Sequence, residues 1–418
     1  MNPRLSEALS QVPALLADHV LLSASALLLG LAVALPLAVG ASRNDRLRRI
    51  ALGGASLVQT IPGLALLALF YPLLLALNSL FAPIGVALPA LGFLPALLAL
   101  GLYAVLPILR NAVTGIVGID PAIIEAADGV GMTPRQKLRL VEAPLAAPVV
   151  MAGIRTATVW TVGAATLSTT VGQSSLGDMI FAGLQTQNWT LVLVGCLAAA
   201  ALALTADALL GLIEAGIAQR SKWRIRGGLI ALAAGVALAL APLTMGGSRA
   251  DTITIGAKGF SEQYILARLI GNRLSEAGYS VRYREGLGSA VAFEALASGD
   301  VDVYVDYTGT LWTNMMERED NPPRDEMLAE LSQWVSDTRD AMVLGRMGFE
   351  NTYAFAVTQE TAQRHALETM DDLARVAPDF TMGTDVEFLN RPEWATIRDA
   401  YGFAFGGTQS YQPTFMYR

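Results

Sequence analysis

Between residues 50 and 109 no Asp, Glu, Lys or Arg interrupts a run built from Leu, Ala, Val, Ile, Phe, Gly and Pro. A membrane crossing uses about 20 residues, so this run is too long for one span and predicts two helices. Asn78-Ser79 and Pro83-Ile84-Gly85 supply the turn signals that divide them. Further apolar runs cover residues 19–42 and, roughly, 146–170, 190–213 and 227–246. The pattern predicts six spans. From Asp251 onward the period changes. Residues 252–256, 280–284 and 301–305 read as strands, with helices over residues 261–277 and 290–297 between them. Strands alternating with helices predict a parallel βαβ sheet, whose ligands bind beyond the carboxyl ends of the strands.

Charge decides how the spans are oriented. Arg43, Arg46, Arg48 and Arg49 follow the first span, and Arg110, Arg135, Lys137 and Arg139 lie between the third and fourth. Arg220, Lys222, Arg224 and Arg226 lie between the fifth and sixth. In a six-span chain all of these fall on one side, while Arg4 and Arg249 flank the other. The positive-inside rule then places the loop after residue 110 in the cytosol, and the N-terminus and residues 250–418 outside. Arg224-Ile225-Arg226, an apolar run and Gly246-Gly247-Ser248 also fit a signal segment fused in frame. Without a clean A-x-A cleavage site, the sixth run is read as a retained anchor.

Composition agrees with a membrane class: of 418 residues, 53% are hydrophobic and 16% charged. A net charge of −7 argues against nucleic-acid binding. Cys196 is the lone cysteine, and His19 and His365 are far apart, so no catalytic residues and no metal site are expected. Within the spans, Gln59, Thr60 and the Thr156/Trp160/Thr161 stripe are candidates to line a pathway, or to bond their own and neighbouring helices. Asp207 is expected to pair with another helix or to snorkel.

The cytosolic loop is itself patterned. Pro121 suits a first helical turn, with Ile123, Ile124 and Ala127 on one face; Gly129 and Gly131 break the helix. Thr133-Pro134 restarts it, Thr133 as cap and Pro134 at the first position. Two short helices about a glycine turn make a compact knob, with Glu125 placed to meet a basic residue of a partner. The spacing Glu125-Ala126-Ala127, Gly131, Val141, Pro144 resembles the EAA loop of bacterial ABC-importer permeases, with Ala143 where Leu is usual. The resemblance implies that Glu125, Ala126, Ala127, Gly131 and Pro144 couple the chain to an ABC ATPase subunit. Leu57-Val58-Gln59-Thr60-Ile61-Pro62-Gly63, Leu106-Pro107-Ile108-Leu109-Arg110-Asn111 and Gly153-Ile154-Arg155-Thr156-Ala157 are similar to permeases of glycine betaine/choline-type osmoprotectant importers. No Gly-x-x-x-x-Gly-Lys-[Ser/Thr] loop occurs, so ATP is expected on a separate subunit and no cofactor on this chain.

The external part resembles the binding proteins of the same importers, through Gly259-Phe260-Ser261-Glu262-Gln263, Gly286-Leu287-Gly288, Tyr307-Thr308-Gly309-Thr310, Asn351-Thr352-Tyr353-Ala354 and Glu387-Phe388-Leu389-Asn390-Arg391. Such proteins hold a quaternary ammonium between aromatic faces, each contributing roughly 0.5–2 kcal/mol. The resemblance implies Tyr307 and Tyr353 as box walls and Gln263 and Thr310 as polar contacts. It also implies Arg391 as a carboxylate clamp, with Glu387 one turn before it. Trp312 and Tyr304 read as core.

The expected architecture is therefore an all-α membrane permease of the type I ABC-importer kind over residues 1–220, with its EAA-like loop at 121–144. A sixth span and linker follow over residues 221–249, and an external, two-lobed α/β binding domain over residues 250–418. In two-lobed receptors the chain returns to its first lobe, and residues up to Arg418 hold no such return, so the domain is expected either to be truncated or to be completed otherwise. The expected function is the permease of an ATP-driven importer of glycine betaine/choline-type compounds, not an enzyme, in the bacterial inner membrane. Its expected partners are an ABC ATPase, a second permease copy in a homodimer, membrane lipid and a betaine ligand. A membrane-anchored sensor with a binding-protein-like external domain is the alternative; the EAA-like loop favours the importer.

Overall fold

The computed structural model describes residues 3–81, 88–245, 252–318, 320–339, 341–389 and 391–411. The turn expected at Pro83-Ile84-Gly85 and everything after Tyr411 lie outside the described residues. The uncharged half forms helices α1 (Pro3–Arg43), α2 (Asp45–Thr60), α3 (Gly63–Phe81) and α4 (Phe93–Val117). Then come α5 (Pro121–Gly129), α6 (Pro134–Lys137), a π-helical turn at Leu138–Glu142 and α7 (Ala143–Ala165). A 3-10 turn (Thr166–Val171) leads to α8 (Gly177–Gln185), α9 (Trp189–Ala218) and α10 (Lys222–Met245).

The two helices expected over residues 50–109 are three. The helices α2 and α3 meet at a bend of 101°. Pro62 causes the break: it has no N–H to offer and pushes Ile61 out of the helical region, to φ −75° and ψ 126°. Among the described residues five helices are long and apolar enough to cross a membrane, and six if the bent pair counts as one span. The central helix is α4, packed between α1 and α7. A Cβ on Gly30 would lie 2.7 Å from that of Ala104, and one on Gly153 would lie 2.6 Å from that of Asn111. Such close approach needs small residues, and helices in lipid associate through it.

Arg155 of α7 donates to both oxygens of Asp207 on α9, at 2.9 and 2.8 Å, and to Glu214 at 2.7 Å. The helix-pairing role expected of Asp207 is thus the one it has. Thr60 and Thr156 bond carbonyls of their own helices, while Gln59 reaches the Tyr103 carbonyl on α4 at 3.4 Å.

The second half opens with β1 (Thr252–Lys258), α11 (Ser261–Glu276), β2 (Ser280–Leu287), α12 (Ser289–Ala297) and β3 (Val303–Tyr304). They form a parallel sheet in the order β2-β1-β3, as the alternating pattern predicts. The short α13 (Thr308–Asn314) and α14 (Arg324–Arg339) complete this first lobe. A second lobe holds α15 (Gln359–His365), α16 (Met370–Val376), β4 (Thr381–Thr384), α17 (Val386–Leu389), α18 (Pro392–Tyr401) and β5 (Gly407–Ser410). Here β4 and β5 pair in parallel beside an aromatic core of Phe355, Phe388, Trp394 and Phe403.

Lobe one sits on the bundle. Tyr264 is buried with Ala8 of α1, Leu176, Met179 and Ala182 around α8, and Leu191 of α9. Leu287 packs with Leu91 and with Ala292, Ala295 and Val301, flanked by Tyr71. Ser261 Oγ donates to the Gln185 carbonyl at 2.6 Å. The start of α1, the start of α4, the end of α7 and α8 therefore share one end of the bundle with the receptor. Arg43 and the 121–144 loop lie at the opposite ends of those helices, which is the topology the basic residues predict. Residues 3–18 are helical ahead of the expected first span because Ala8, Val12, Leu15 and Leu16 have this outer cluster to pack against.

The junction also buries carboxyls. Asp178, at the start of α8, accepts from Thr169 Oγ1 at 2.5 Å, and Glu285 of β2 is ion-paired with Arg268 at 2.9 Å. Burial pushes the Asp178 carboxyl up to about 8 against the Thr169 bond, and the Glu285 and Asp18 charges add to the rise. Burial also raises Glu285, with Arg268 opposing it. Arg282 and Arg284 on β2 and Tyr264 on α11 complete the charged and titratable surroundings. A carboxyl whose folded value is raised stabilises the fold fully below its unfolded value, and that contribution is lost as pH rises through the folded one. Thermal midpoints of the purified chain are therefore expected to fall between pH 3.8 and about 8, and Asp178→Asn to flatten that fall. An unchanged pH slope in the variant would contradict the assignment.

Candidate functional site

Two sites stand at opposite ends of the bundle. At the cytosolic end α5 is capped by Asp120, whose side chain accepts from the Ala122 N–H, and Pro121 takes the first turn. Gly131, at φ +75°, reverses the chain where a side chain would be strained. Thr133 and Gln136 form a reciprocal capping box at α6, and Lys137 bridges back to Asp128 at 2.6 and 2.9 Å. The result is the compact knob that the sequence predicts. Glu125, Ala126, Gly131 and Pro144 are exposed on it, and Ala127 is buried beneath. Ile123, Val130, Leu140 and Leu145 add exposed apolar surface, Val130 and Leu140 being 74% and 66% accessible. Exposed apolar side chains beside the Glu125 carboxylate suit a protein partner better than water. Beneath the knob, Glu142 is buried and ion-paired with Arg43 at the end of α1. Glu142 was not singled out from the sequence as a structural part of the site; a carboxylate four residues before the expected span at 146–170, with an arginine cluster available, was the signal.

At the receptor end the ligand candidates gather past the carboxyl ends of β1 and β3. Lys258 and Asp306, 1% and 6% accessible, form a buried ion pair that ties the two strand ends together. Asp306 also accepts from Tyr304 Oη and from the Tyr307 N–H, both at 2.7 Å, so both of its oxygens are engaged. This pair holds Tyr307 in place: the Lys258 ammonium lies 5.2 Å from its ring centroid. Tyr307 Oη donates to Glu262 Oε1 at 3.0 Å, and Asn351 Nδ2 donates to the same oxygen at 3.0 Å. Burial raises the Tyr307 hydroxyl above its ordinary value, which keeps it a donor. Phe349 meets the Tyr307 ring edge to face at 6.4 Å.

Gln263 is 1% accessible, and neither carboxamide atom has a full hydrogen-bond partner, though it lies beside the Tyr307 hydroxyl. An amide buried without partners is costly unless something fills the space in front of it. Thr310 is buried as its backbone closes the first turn of α13 onto the Tyr307 carbonyl at 3.0 Å. Glu262, Asn351 and Phe349 belong to this group and were not singled out from the sequence, although Glu262 stands inside the motif that marked Gln263.

The remaining candidates group separately in lobe two. Tyr353, 48% accessible, packs on Phe388 at 4.6 Å, and the Arg391 guanidinium lies 5.5 Å from its ring. Arg391 donates to Glu393 at 2.9 and 3.2 Å, and the Glu387 side chain lies outside the described residues. Trp312 and Tyr304 are packed in lobe one, as expected. Tyr307 with Phe349 in one group, and Tyr353 with Arg391 in the other, present aromatic faces and a guanidinium, and the Asn351–Glu262 bond ties the segment just before Tyr353 to the first group.

Residues 26–219 match the family described as binding-protein-dependent transport system inner membrane component. Residues 251–417 match the substrate binding domain of ABC-type glycine betaine transport systems. The ergothioneine transport permease/ergothioneine binding protein of Helicobacter pylori (strain G27) is 32% identical over 377 residues, 87% of this chain. The match spans 65% of that relative's length. A choline transport system permease protein of Bacillus subtilis (strain 168) is 39% identical over 209 residues, covering 50% of this chain and 89% of its own. Among solved structures, a glycine betaine/carnitine/choline ABC transporter is 30% identical over 38% of this chain and 61% of that one, with a TM-score of 0.32.

The Lys258–Asp306 pair gives a prediction independent of any ligand. Asp306→Ala leaves a buried ammonium without its counter-charge, a loss of about 3–5 kcal/mol. Lobe one is expected to unfold at a clearly lower temperature in the variant. Adding Lys258→Met should recover most of that loss, as followed by calorimetry of the whole chain.

Proposed function

From a chain that belongs to the inner membrane components of binding-protein-dependent transport systems, and carries a glycine betaine-type substrate-binding domain, we infer an ATP-driven importer subunit for betaine-like cations. The observation that carries this reading is the placement of its two sites. One bundle bears an exposed two-helix knob at its cytosolic end and a two-lobed cleft at the other. A machine that moves a captured solute inward needs both, at opposite ends. The knob, with Glu125, Ala126, Ala127, Gly131 and Pro144, is the docking element for a separate ABC ATPase that binds and hydrolyses ATP. A second permease copy completes the pathway, and a homodimer is the simplest assembly.

The ligand class is a betaine or other quaternary ammonium compound. Tyr307, Phe349 and Tyr353 offer ring faces to a cation that cannot donate hydrogen bonds. Arg391 would exchange Glu393 for the ligand carboxylate, a bidentate match. Gln263 and Thr310 serve a further polar group of the ligand. The buried Gln263 amide, with only the Tyr307 hydroxyl beside it, favours a betaine that carries such a group beyond its carboxylate. The relative that matches across both halves of the chain carries ergothioneine in its name, which supports ergothioneine beside glycine betaine, choline and carnitine among the candidates.

Two outcomes test this. In cells supplied with the cognate ATPase, Glu125→Ala is expected to abolish uptake while leaving the amount of chain in the membrane unchanged; normal uptake would refute the coupling role. In calorimetric titration of the purified chain, one of glycine betaine, choline, carnitine or ergothioneine should bind. Tyr307→Ala should weaken that ligand by about 2- to 30-fold, the equivalent of one ring face. Binding of polar amino acids, with no trimethylammonium compound bound, would overturn the ligand class.

A further inference from the structure

The junction between receptor and bundle is built like a protein interior. Tyr264 and Leu287, from lobe one, are 2% and 1% accessible, and Leu176 and Met179, which receive Tyr264, are 0% and 1%. Surfaces that meet and part in each cycle are about as polar as the rest of a protein, whereas obligate interfaces resemble a core cut in half. Parting this one would put Tyr264 and Leu287 into water together with the Asp178 and Glu285 carboxyls, which the closed junction buries. The fit extends to the backbone. Gly92 and Gly172 of the bundle, both at positive φ, make the niche for the Arg284 guanidinium: a Cβ there would come within 3.1 and 3.6 Å of its Nη1.

The first turn of α11 faces both ways. Ser261 and Tyr264 bind the bundle, through the Gln185 carbonyl and the cluster around α8. Glu262 and Gln263, between them in sequence, face the cleft, where Glu262 is held by Tyr307 of lobe one and Asn351 of lobe two. The receptor residues named at the junction all fall within residues 261–304, in lobe one. The described contacts from lobe one to the segment leading into lobe two are, by contrast, exposed and mostly polar: Glu262 to Asn351, Arg324 to Glu350 and Asp325 to Arg346, with Phe349 edge-on to Tyr307.

We propose that lobe one is a fixed part of the permease, docked on its own chain with or without ligand, and that lobe two alone moves to admit and release the solute. The meaning of that motion rests on the import reading; the docking does not.

A cavity of about 300 Å³ at the edge of the junction provides the test, because Thr186 of the bundle and Asn272 of lobe one both line it. With the exposed Cys196 replaced by Ala, Thr186→Cys and Asn272→Cys are introduced together and treated with a short bis-maleimide, in membranes with no ligand added. Thr186→Cys with Gln363→Cys, in lobe two, is the control. The first pair is expected to link within one chain several-fold faster than the control, at a rate unchanged by added glycine betaine or ergothioneine. Linking no faster than the control, or only after ligand is added, would overturn fixed docking. The measurement needs no uptake, so a failed transport assay would sink the import reading and leave this result standing.

Discussion

A guanidinium that lies in a membrane-spanning helix has to be supplied with counter-charges by its neighbours, because hydrocarbon offers none. Arg155 receives two, Asp207 and Glu214, spaced seven residues apart on α9 with Gly211 between them. A Cβ on Gly211 would stand 3.3 Å from the guanidinium carbon, so the glycine leaves the room in which Arg155 lies against α9. The same exclusion of bare charge governs the rest of the bundle. It drives the other basic residues of the bundle, Arg4 excepted, to the helix ends and loops of one end, and it requires that Glu142, buried beneath the knob, be met by Arg43 from the end of α1. The knob is therefore anchored at its base to the bundle while its tip stays exposed. The π-helical turn at Leu138–Glu142 runs directly into α7, so the knob and that helix are one continuous piece of backbone.

At the outer end the order of dependence is reversed. Lobe one does not rest on the membrane helices as a separate globule; it shares a core with them through Tyr264 and Leu287. Its own cleft is then set by the Lys258–Asp306 pair, which fixes the strand ends from which Gln263 and Tyr307 project. The end of β1, Glu262 and Gln263, and the bundle contacts Ser261 and Tyr264 all fall within residues 258–264. The candidate binding residues and the outer end of the bundle meet at the first turn of α11 and the end of β2.

Much of this was legible before any fold was known. The uncharged runs and the sided arginines gave span count and orientation, since lipid tolerates few other arrangements. Pro121, Gly131 and Thr133-Pro134 wrote the knob almost residue by residue, because caps and left-handed turns are local chemistry. The alternation after Asp251 gave a parallel sheet. The break between α2 and α3 could have been read as well, at Pro62, but a long apolar run masks a bend that costs it no hydrophobicity. Asp207 stood out as a group that would pair with another helix, but nothing local revealed that Arg155, more than fifty residues earlier, would be its partner, or that Glu214 would share it.

What the sequence determined by itself was therefore everything set by nearest neighbours and by the solvent: which segments enter lipid, which end faces the cytosol, where helices start and turn. Only the tertiary structure decided which distant groups share a space. It brought Glu262 to Asn351, left the Gln263 amide without a full partner in the cleft, turned Arg391 toward Glu393, and buried Asp178 with Glu285 at the meeting of the two halves. The reason is physical. Local pattern records how each residue meets water or lipid, whereas the partner of a buried charge or amide is chosen by packing between elements far apart in the chain, and no periodicity carries that choice.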